Sequence, residues 1–194
     1  MDLQIGALHI GPGSPCFIIA EVGLAHDGSL SQAHAYIDAI AKAGADAAKF
    51  QCHLGDTGTE WRVKPSWMQD EDRQAYWRRT GFTSWEWAEL AGHCAKVGLT
   101  FLCSPFSIEA VKLLDPLVQA WKVPSGKITD LALLDAIGLT GKPVLLSTGM
   151  STIAEAVSAR RLVLRGVPVE LLQCTSAYPS SAEFVGLSHV SVWG

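Results

Sequence analysis

The sequence has no run of basic residues, no apolar run long enough to cross a membrane, and no cysteines spaced Cys-x-x-Cys. A membrane-spanning helix needs about 18 or more consecutive apolar residues, and no segment reaches that length. The N-terminus lacks the basic region and long apolar run of a signal peptide. With a net charge of −4 and a pI near 5.8, the chain is not expected to bind nucleic acid or an anionic membrane. We therefore predict a cytoplasmic protein.

The cysteine pattern argues against a disulfide scaffold. There are five cysteines, an odd number, and four of them lie in or beside apolar, strand-like runs. Small buried thiols in a reducing compartment explain them best. The chain has 194 residues, 48% of them hydrophobic and 18% charged, which is typical of a folded globular protein. Because domains hold about 100–200 residues, we predict one domain over residues 1–194.

Six short apolar runs alternate with amphipathic stretches. The runs are 17–22, 47–52, 99–105, 120–126, 143–149 and 169–176. Near-continuous apolar runs of this length are typical of parallel strands covered on both faces. Helix signals follow, among them Ser29 as an N-cap and the capping boxes Thr83/Glu86 and Thr152/Glu155. These patterns predict repeated βα units and a parallel sheet, with no clear helix after the sixth strand.

The polar residues distinguish between two parallel-sheet folds, a doubly wound open sheet and a (β/α)8 barrel. They recur at the carboxyl ends of successive runs: Glu21, Lys49, Gln51, Ser104, Lys122, Ser125, Ser147, Thr148, Thr175 and Ser176. An open sheet places its site at one switch point, whereas every strand of a barrel contributes to the site. The residues after the first run, GLAHDGS, also lack a glycine-rich dinucleotide fingerprint. We therefore predict a TIM-type (β/α)8 barrel that is incomplete, with about six βα units present.

Two lysines interrupt the apolar runs, Lys49 in AAKFQC and Lys122 in AWKVPSG. Lysine is rarely buried without a partner, and two inward-pointing lysines are costly unless an anion meets them. Hydroxyls lie at neighbouring strand ends, on Ser104, Ser125 and Ser147. Lysines, hydroxyls and glycine-flanked backbone N–H groups together predict a site for phosphate or carboxylate.

Each of these residues also has a purely structural interpretation. A lysine in an apolar run can extend to solvent from an edge strand, and Ser125 and Ser147 can cap the helices that follow them. Glu21 is the one acid among the strand ends. It can bind sugar hydroxyls or move a proton, or it can serve as the ion-pair partner of Lys49.

Histidines and tryptophans near the strand ends are weaker candidates. His26 and His53 follow strand ends but show no metal-ligand spacing. Trp61, Trp67 and Trp77 lie in a long polar segment, about residues 54–82, which is typical of a functional loop or an extra helix. Tryptophans of this kind more often pack than form a platform for a sugar.

Six motifs together resemble the N-acetylneuraminate (sialic acid) synthase family. They are FIIAEVGLAHDGS, GADAAKFQ, FLCSPFS, AWKVPSG, GKPVLLSTGM and LLQCTSAYP, in the family's order and at its spacing. The resemblance implies a (β/α)8 barrel that condenses phosphoenolpyruvate with N-acetylmannosamine or a related N-acyl amino sugar, giving a sialic (nonulosonic) acid and phosphate. It also implies a divalent metal, Mn²⁺ or Mg²⁺, that polarises the sugar aldehyde, and a homodimeric full-length protein.

Carried over by position, the resemblance assigns roles to individual residues. The phosphoenolpyruvate-binding positions are Lys49, Ser104, Lys122, Ser125, Ser147 and Ser176, and the sugar-contacting positions are Glu21 and Tyr178. The residues expected to carry catalysis are Glu21, Lys49 and Lys122. The chain departs from the family's usual residues at Ala25, where Asn is usual, at Lys127, where an acid is usual, and at Asp130, where Asn is usual.

The metal half of the family's site is not expected in this chain. In the family, two metal-binding histidines lie on the seventh and eighth strands, and a small antifreeze-like domain follows the barrel. Both features come after the position that corresponds to Gly194 here. A six-strand segment exposes a sheet edge and core surface, so we predict that the chain alone is unstable unless a longer parent or a partner completes it. Two alternatives stay open: another phosphoenolpyruvate-dependent 3-deoxy-sugar-acid synthase, and a catalytically inactive barrel that binds a phosphorylated ligand or a partner chain.

Overall fold

Six parallel strands in chain order organise the computed structural model, which describes residues 3–54, 73–163, 166–177 and 179–193. A hairpin of β1 (Leu3–Ile5) and β2 (Leu8–Ile10) comes first. The parallel strands are β3 (Ile19–Gly23), β4 (Ala47–Cys52), β5 (Thr100–Pro105), β6 (Trp121–Val123), β7 (Val144–Ser147) and β8 (Val169–Leu172). Each falls within one of the six predicted runs or extends it by one residue, so the predicted strands are confirmed.

Helices connect these strands. They are α1 (Leu30–Ala43), α2 (Arg73–Arg79), α3 (Ser84–Lys96), α4 (Ile108–Leu114), α5 (Leu131–Gly138), α6 (Ile153–Val163) and α7 (Val190–Trp193). Their first turns follow from the sequence, because Ser29 caps α1, and the pairs Thr83/Glu86 and Thr152/Glu155 form the predicted capping boxes of α3 and α6. Within the described part of the chain, no helix is both long enough and apolar enough to cross a membrane.

The parallel strands form two three-stranded sheets. One has the order β3-β4-β5 and the other the order β6-β7-β8. In the first, Ala47 lies opposite Thr100 and Cys52 opposite Pro105, and a register shift between Glu21 and Gly23 bends the end of β3. β5 and β6 lie side by side, which makes the two sheets neighbours. The predicted α/β fold with parallel strands is confirmed.

Alternation along the strands separates two hydrophobic cores. The larger core lies between the strands and the helices and includes Phe50, Trp87 and Trp121. The smaller core lies on the opposite face and is made by one apolar residue from each of several strands, including Ala47, Leu102, Ala120 and Leu145. Because side chains alternate between faces, the residues two positions further on share this inner face. They are Lys49, Ser104, Lys122 and Ser147.

The N-terminal hairpin, which no pattern in the sequence predicted, closes the apolar end of this inner face. Leu3 and Ile5 are 1% and 0% exposed and belong to the inner core. The hairpin turns at Gly6, whose φ of 59° suits glycine. A Cβ at Gly6 would lie 2.0 Å from the Gln119 side-chain oxygen, so the turn packs directly against the residues before β6. The polar residues therefore lie at the opposite, carboxyl end of the strands.

The cysteines only partly follow the prediction of buried thiols. Cys52, Cys94 and Cys103 are buried, and burial raises the pKa of Cys52 and of Cys94 to about 12. Cys174 is half-buried beside the polar strand ends. The prediction is wrong for Cys16, which lies in the exposed segment between the hairpin and β3.

Candidate anion-binding site

Two buried lysines lie within β4 and β6, on the inner face of the strands. Lys49 is 7% exposed and Lys122 is 9% exposed. The Lys49 ammonium forms an ion pair with Glu21 and donates to Ser104 Oγ at 3.3 Å. The Lys122 ammonium donates to Ser147 Oγ and to the carbonyl oxygen of Val123, the latter at 3.2 Å. Each predicted lysine is therefore bonded to a predicted serine.

The two ammonium groups lie close enough to affect each other. Burial, followed by the positive charge of Lys49, lowers the pKa of Lys122 to about 8. Glu21 and Cys174 act in the opposite direction but do not compensate. Because the pocket brings two ammonium groups together with one carboxylate, an anion at this point would relieve the cost of their burial.

The remaining predicted serines meet around Gly149, just after β7. Gly149 N–H donates to Ser125 Oγ at 3.1 Å. A Cβ at Gly149 would lie 2.8 Å from Ser176 Oγ and 3.0 Å from both Ser125 Oγ and Cys174 Cβ. Cys174 Sγ in turn lies 3.3 Å from Ser147 Oγ, which Lys122 contacts. Ser125, Ser147 and Ser176 therefore belong to one continuous polar cluster with Lys122.

The helix-capping alternative is wrong for Ser125 and Ser147. Asp130 caps α5, accepting from Leu133 N–H at 3.2 Å, and Thr152 caps α6. The hydroxyls of the two serines are thereby left for the polar cluster. Thr148, which sequence analysis grouped with these serines, instead donates to the Leu172 carbonyl oxygen at 2.9 Å.

A chain of side chains leads away from Glu21. Gln51 Nε2 donates to Glu21 Oε1 at 3.4 Å, and His53 Nε2 lies 3.3 Å from Gln51 Oε1. The ion-pair alternative for Glu21 is confirmed, since Glu21 pairs with Lys49, yet about half of its side chain stays exposed. Gln51 was recognised as a strand-end residue, but no role was predicted for it. The signal that could have found it is its spacing of two from Lys49, which places both on the inner face.

The other residues singled out in the sequence have structural roles or lie outside the described residues. Lys127 pairs with Asp130 at 3.0 Å, so the two departures from the family pattern neutralise each other locally. His26 is fully buried and stacks on Phe82 at a centroid distance of 4.5 Å, and burial lowers its pKa to about 4. Trp77 stacks on the His53 ring at 4.6 Å, as expected for packing.

Three of the residues named in the sequence cannot be placed. Tyr178, Trp61 and Trp67 lie outside the described residues. The predicted sugar contact of Tyr178 therefore stays a prediction.

The described residues do not by themselves fit a resident divalent metal. Within residues 3–54, 73–163, 166–177 and 179–193, no three His, Cys, Asp or Glu side chains converge as metal ligands. Such ions are held in proteins by several oxygen or nitrogen donors that meet at one point.

Known proteins resemble this chain in sequence and in fold. The model of the NeuB family matches residues 36–192. An N,N'-diacetyllegionaminic acid synthase of Campylobacter jejuni is 33% identical over 181 residues, which are 88% of this chain and 54% of that protein. The crystal structure of N-acetylneuraminic acid (sialic acid) synthetase from Leptospira borgpetersenii has a TM-score of 0.87 at 29% identity, covering 99% of this chain and 65% of that one.

A more distant structure shares the fold alone. The DAHP synthase of Thermotoga maritima has a TM-score of 0.72 at 15% identity and covers 99% of this chain and 51% of its own. The chain spans about half the length of the curated relatives it matches. The match to the family model covers most of the sequence, and the chain belongs to the NeuB family.

Proposed function

We propose that the chain is the larger part of a (β/α)8 barrel that condenses phosphoenolpyruvate with an N-acyl amino sugar, N-acetylmannosamine or a related one, to give a nonulosonic acid and phosphate. The observation that carries the proposal is the pair of buried ammonium groups of Lys49 and Lys122, each bonded to a serine hydroxyl. Family membership and the named relatives, a legionaminic acid synthase and a sialic acid synthetase, support it.

Phosphoenolpyruvate suits this cluster because it carries a phosphate and a carboxylate on the same carbon, C2. The two lysines would bind these groups together with Ser104, Ser147 and the hydroxyls around Gly149. Fixing both anionic groups orients C3 of the enol for attack on the sugar aldehyde.

The proposed reaction forms one carbon–carbon bond and one carbon–oxygen bond to water, and it breaks the carbon–oxygen bond to phosphate. C3 attacks the aldehyde carbon, and the aldehyde oxygen takes up a proton. Water adds to the cationic C2 and loses a proton, after which the C2–O bond to phosphate breaks as the new hydroxyl becomes the keto group. Glu21, held beside Lys49 with half of its side chain exposed, is placed to accept hydrogen bonds from sugar hydroxyls.

Metal dependence, a homodimer and a cytoplasmic location stay predictions. A divalent metal would polarise the aldehyde in the full-length protein. Since the described residues supply no complete ligand set, we assign no step to it.

Calorimetric titration of the full-length protein with phosphoenolpyruvate tests the anion site. We expect saturable binding that inorganic phosphate weakens by competition. Turnover is tested on the full-length protein by phosphate release with N-acetylmannosamine and Mn²⁺. Binding without turnover there would select the inactive-barrel alternative, and absence of phosphoenolpyruvate binding would contradict the proposal itself.

Two alternatives remain among barrel enzymes: another 3-deoxy-sugar-acid synthase and a Schiff-base aldolase. An aldolase uses a single lysine as a nucleophile. Borohydride in the presence of pyruvate would then trap a covalent adduct, and we expect none, because both lysines here serve as cations.

A further inference from the structure

We propose that His53 is a positioning residue whose Nε2–H fixes the Gln51 carboxamide and, through it, the direction of the Glu21 carboxylate. The inference rests on the proposed function in one respect, that Glu21 faces the acceptor sugar. No role for His53 in the site follows from the sequence or from family membership.

The polarity of the chain from Glu21 to His53 follows from what each group can donate. A carboxylate only accepts, so the group that Gln51 turns toward Glu21 Oε1, at 3.4 Å, must be its NH₂. The carbonyl oxygen of Gln51 then faces His53 Nε2 at 3.3 Å. A carbonyl oxygen also only accepts, so Nε2 must carry a hydrogen.

The surroundings of His53 keep the imidazole neutral with a single proton. Its ring is 9% exposed and lies between the rings of Phe106 and Trp77, at centroid distances of 3.8 and 4.6 Å. Burial, followed by the positive charges of Arg73 and Lys127, lowers the pKa of His53 to about 3. Nδ1 is buried and has no hydrogen-bond partner among the described residues. With one proton available and an acceptor only at Nε2, the ring is a fixed donor.

Close packing beside β3 holds the other end of the chain. A Cβ at Gly23 would lie 3.1 Å from Glu21 Oε1 and 3.3 Å from Gln51 Nε2. Gly23 has a φ of 58° and follows the register shift of β3, so backbone lies directly against the hydrogen bond. Oε1 of Glu21 is thus bound by Gln51 while Oε2 is bound by Lys49. The orientation of both oxygens is thereby fixed, which leaves the outer lone pairs of the carboxylate free to accept hydrogen bonds from sugar hydroxyls.

Substitution of His53 should therefore lower the affinity for the sugar and leave the affinity for the anion unchanged. Lys122 and the serines around Gly149 do not touch His53 in the described residues. One neutral hydrogen bond contributes about 0.5–1.5 kcal/mol, equivalent to at most about a tenfold change in affinity.

The test compares His53→Phe, which keeps a ring between Phe106 and Trp77 but removes the donor, with His53→Gln, whose amide nitrogen reaches the Nε2 position. His9→Phe is the matched control, because it makes the same change on the exposed strand β2. The first readout is the side-chain amide signal of Gln51 by NMR. We expect slow hydrogen exchange in the wild type, faster exchange in His53→Phe, recovery in His53→Gln, and no change in His9→Phe.

The second readout is binding. N-acetylmannosamine affinity in the presence of phosphoenolpyruvate should fall about tenfold in His53→Phe and recover in His53→Gln, while phosphoenolpyruvate affinity stays within about twofold. Equal losses for both ligands, or no change in either readout, would overturn the inference. If the wild type binds no phosphoenolpyruvate, the proposed function fails and the Gln51 exchange rates still decide the role of His53.

A measurement without substitution covers the case in which His53→Phe does not fold. Long-range ¹H–¹⁵N spectra of the wild-type chain report which ring nitrogen carries the proton. A protonated Nε2 and a bare Nδ1 are expected, and the opposite tautomer overturns the inference.

Discussion

The sheets β3-β4-β5 and β6-β7-β8 place a lysine in equivalent positions but satisfy it differently. Lys49 has a carboxylate partner in Glu21 and a hydroxyl in Ser104. Lys122 has a hydroxyl in Ser147 and a backbone carbonyl, and no carboxylate among the described residues contacts it. Only the second lysine therefore carries a buried charge without an opposite charge in contact.

This difference indicates which half of the site depends more on a ligand. A buried cation without a contacting anion lowers the stability of the free protein, and a bound anion recovers that cost. The first sheet supplies its own anion in Glu21, which can then serve the second substrate. No carboxylate among the described residues contacts Lys122 in the second sheet. We therefore infer that the stability of the second sheet depends more strongly on binding of the phosphorylated substrate.

The largest expected effect comes from removing the lysines one at a time. Lys49→Met and Lys122→Met should each weaken phosphoenolpyruvate binding by about 10- to 150-fold, because each removes a charge-assisted interaction of about 1.5–3 kcal/mol. Without ligand the two should differ: Lys122→Met should raise the free energy of unfolding by about 1–2 kcal/mol, whereas Lys49→Met should not, because it leaves Glu21 without its cation. Calorimetry and urea denaturation measure the two effects.

Lys142→Met is the matched control for both lysines. Lys142 pairs with Asp115 at 2.8 Å before the start of β7, at the opposite end of the strand from the site. Its substitution should leave phosphoenolpyruvate affinity unchanged. Equal changes in the free energy of unfolding for Lys49→Met and Lys122→Met would contradict the inference that only Lys122 carries an uncompensated buried charge.

Acid should destabilise the first sheet more than the second. Burial lowers the pKa of His26 to about 4 and of His53 to about 3, and both follow strands of the first sheet. The unfolded chain takes up these protons near pH 6.5 and the folded chain does not, so stability present above pH 6.5 is lost as the pH falls toward 3–4. At pH 5 the loss is about 2 kcal/mol for each histidine.

Hydrogen exchange at pH 7 and pH 5 locates this loss. Protection of β3 and β4 should fall more than protection of β7. Earlier loss of protection in β7 would show that the acid sensitivity has another origin.

Alkaline pH should weaken phosphoenolpyruvate binding through Lys122 in the second sheet. Because burial and the Lys49 charge lower the pKa of Lys122 to about 8, the free protein loses this cation above that pH. Phosphoenolpyruvate affinity should then fall by up to about tenfold per pH unit above pH 8. Lys122→Arg stays charged throughout, so the dependence should vanish in that variant even if its affinity is lower. A wild-type affinity that is flat between pH 8 and 10 would contradict the assignment.

The elements that could be predicted from the sequence are those with local signals. The run 47–52 is β4 without any shift, and the predicted capping boxes begin α3 and α6, because apolar runs and caps are properties of adjacent residues. The strand-end lysines and serines were also predictable, since alternation fixes their face.

Other features depend on segments far apart in the sequence. The hairpin is stabilised where Leu3 and Ile5 meet Ala47 and Leu145, which no local pattern specifies. The neutrality of His53 depends on its burial between Phe106, just after β5, and Trp77 in α2.

The smallest expected effect tests the cluster that completes the second sheet. Gly149→Ala places a Cβ 2.8 Å from Ser176 Oγ and 3.0 Å from Ser125 Oγ, so the two hydroxyls must move apart. We expect a loss of about 1 kcal/mol in stability and a few-fold loss in phosphoenolpyruvate affinity. Gly92→Ala is the control, since Gly92 lies within α3 with open space around its Cβ position, and it should raise stability by up to about 1 kcal/mol. Unchanged phosphoenolpyruvate affinity in Gly149→Ala would separate Ser125 and Ser176 from the anion site and leave the second sheet dependent on Lys122 and Ser147 alone.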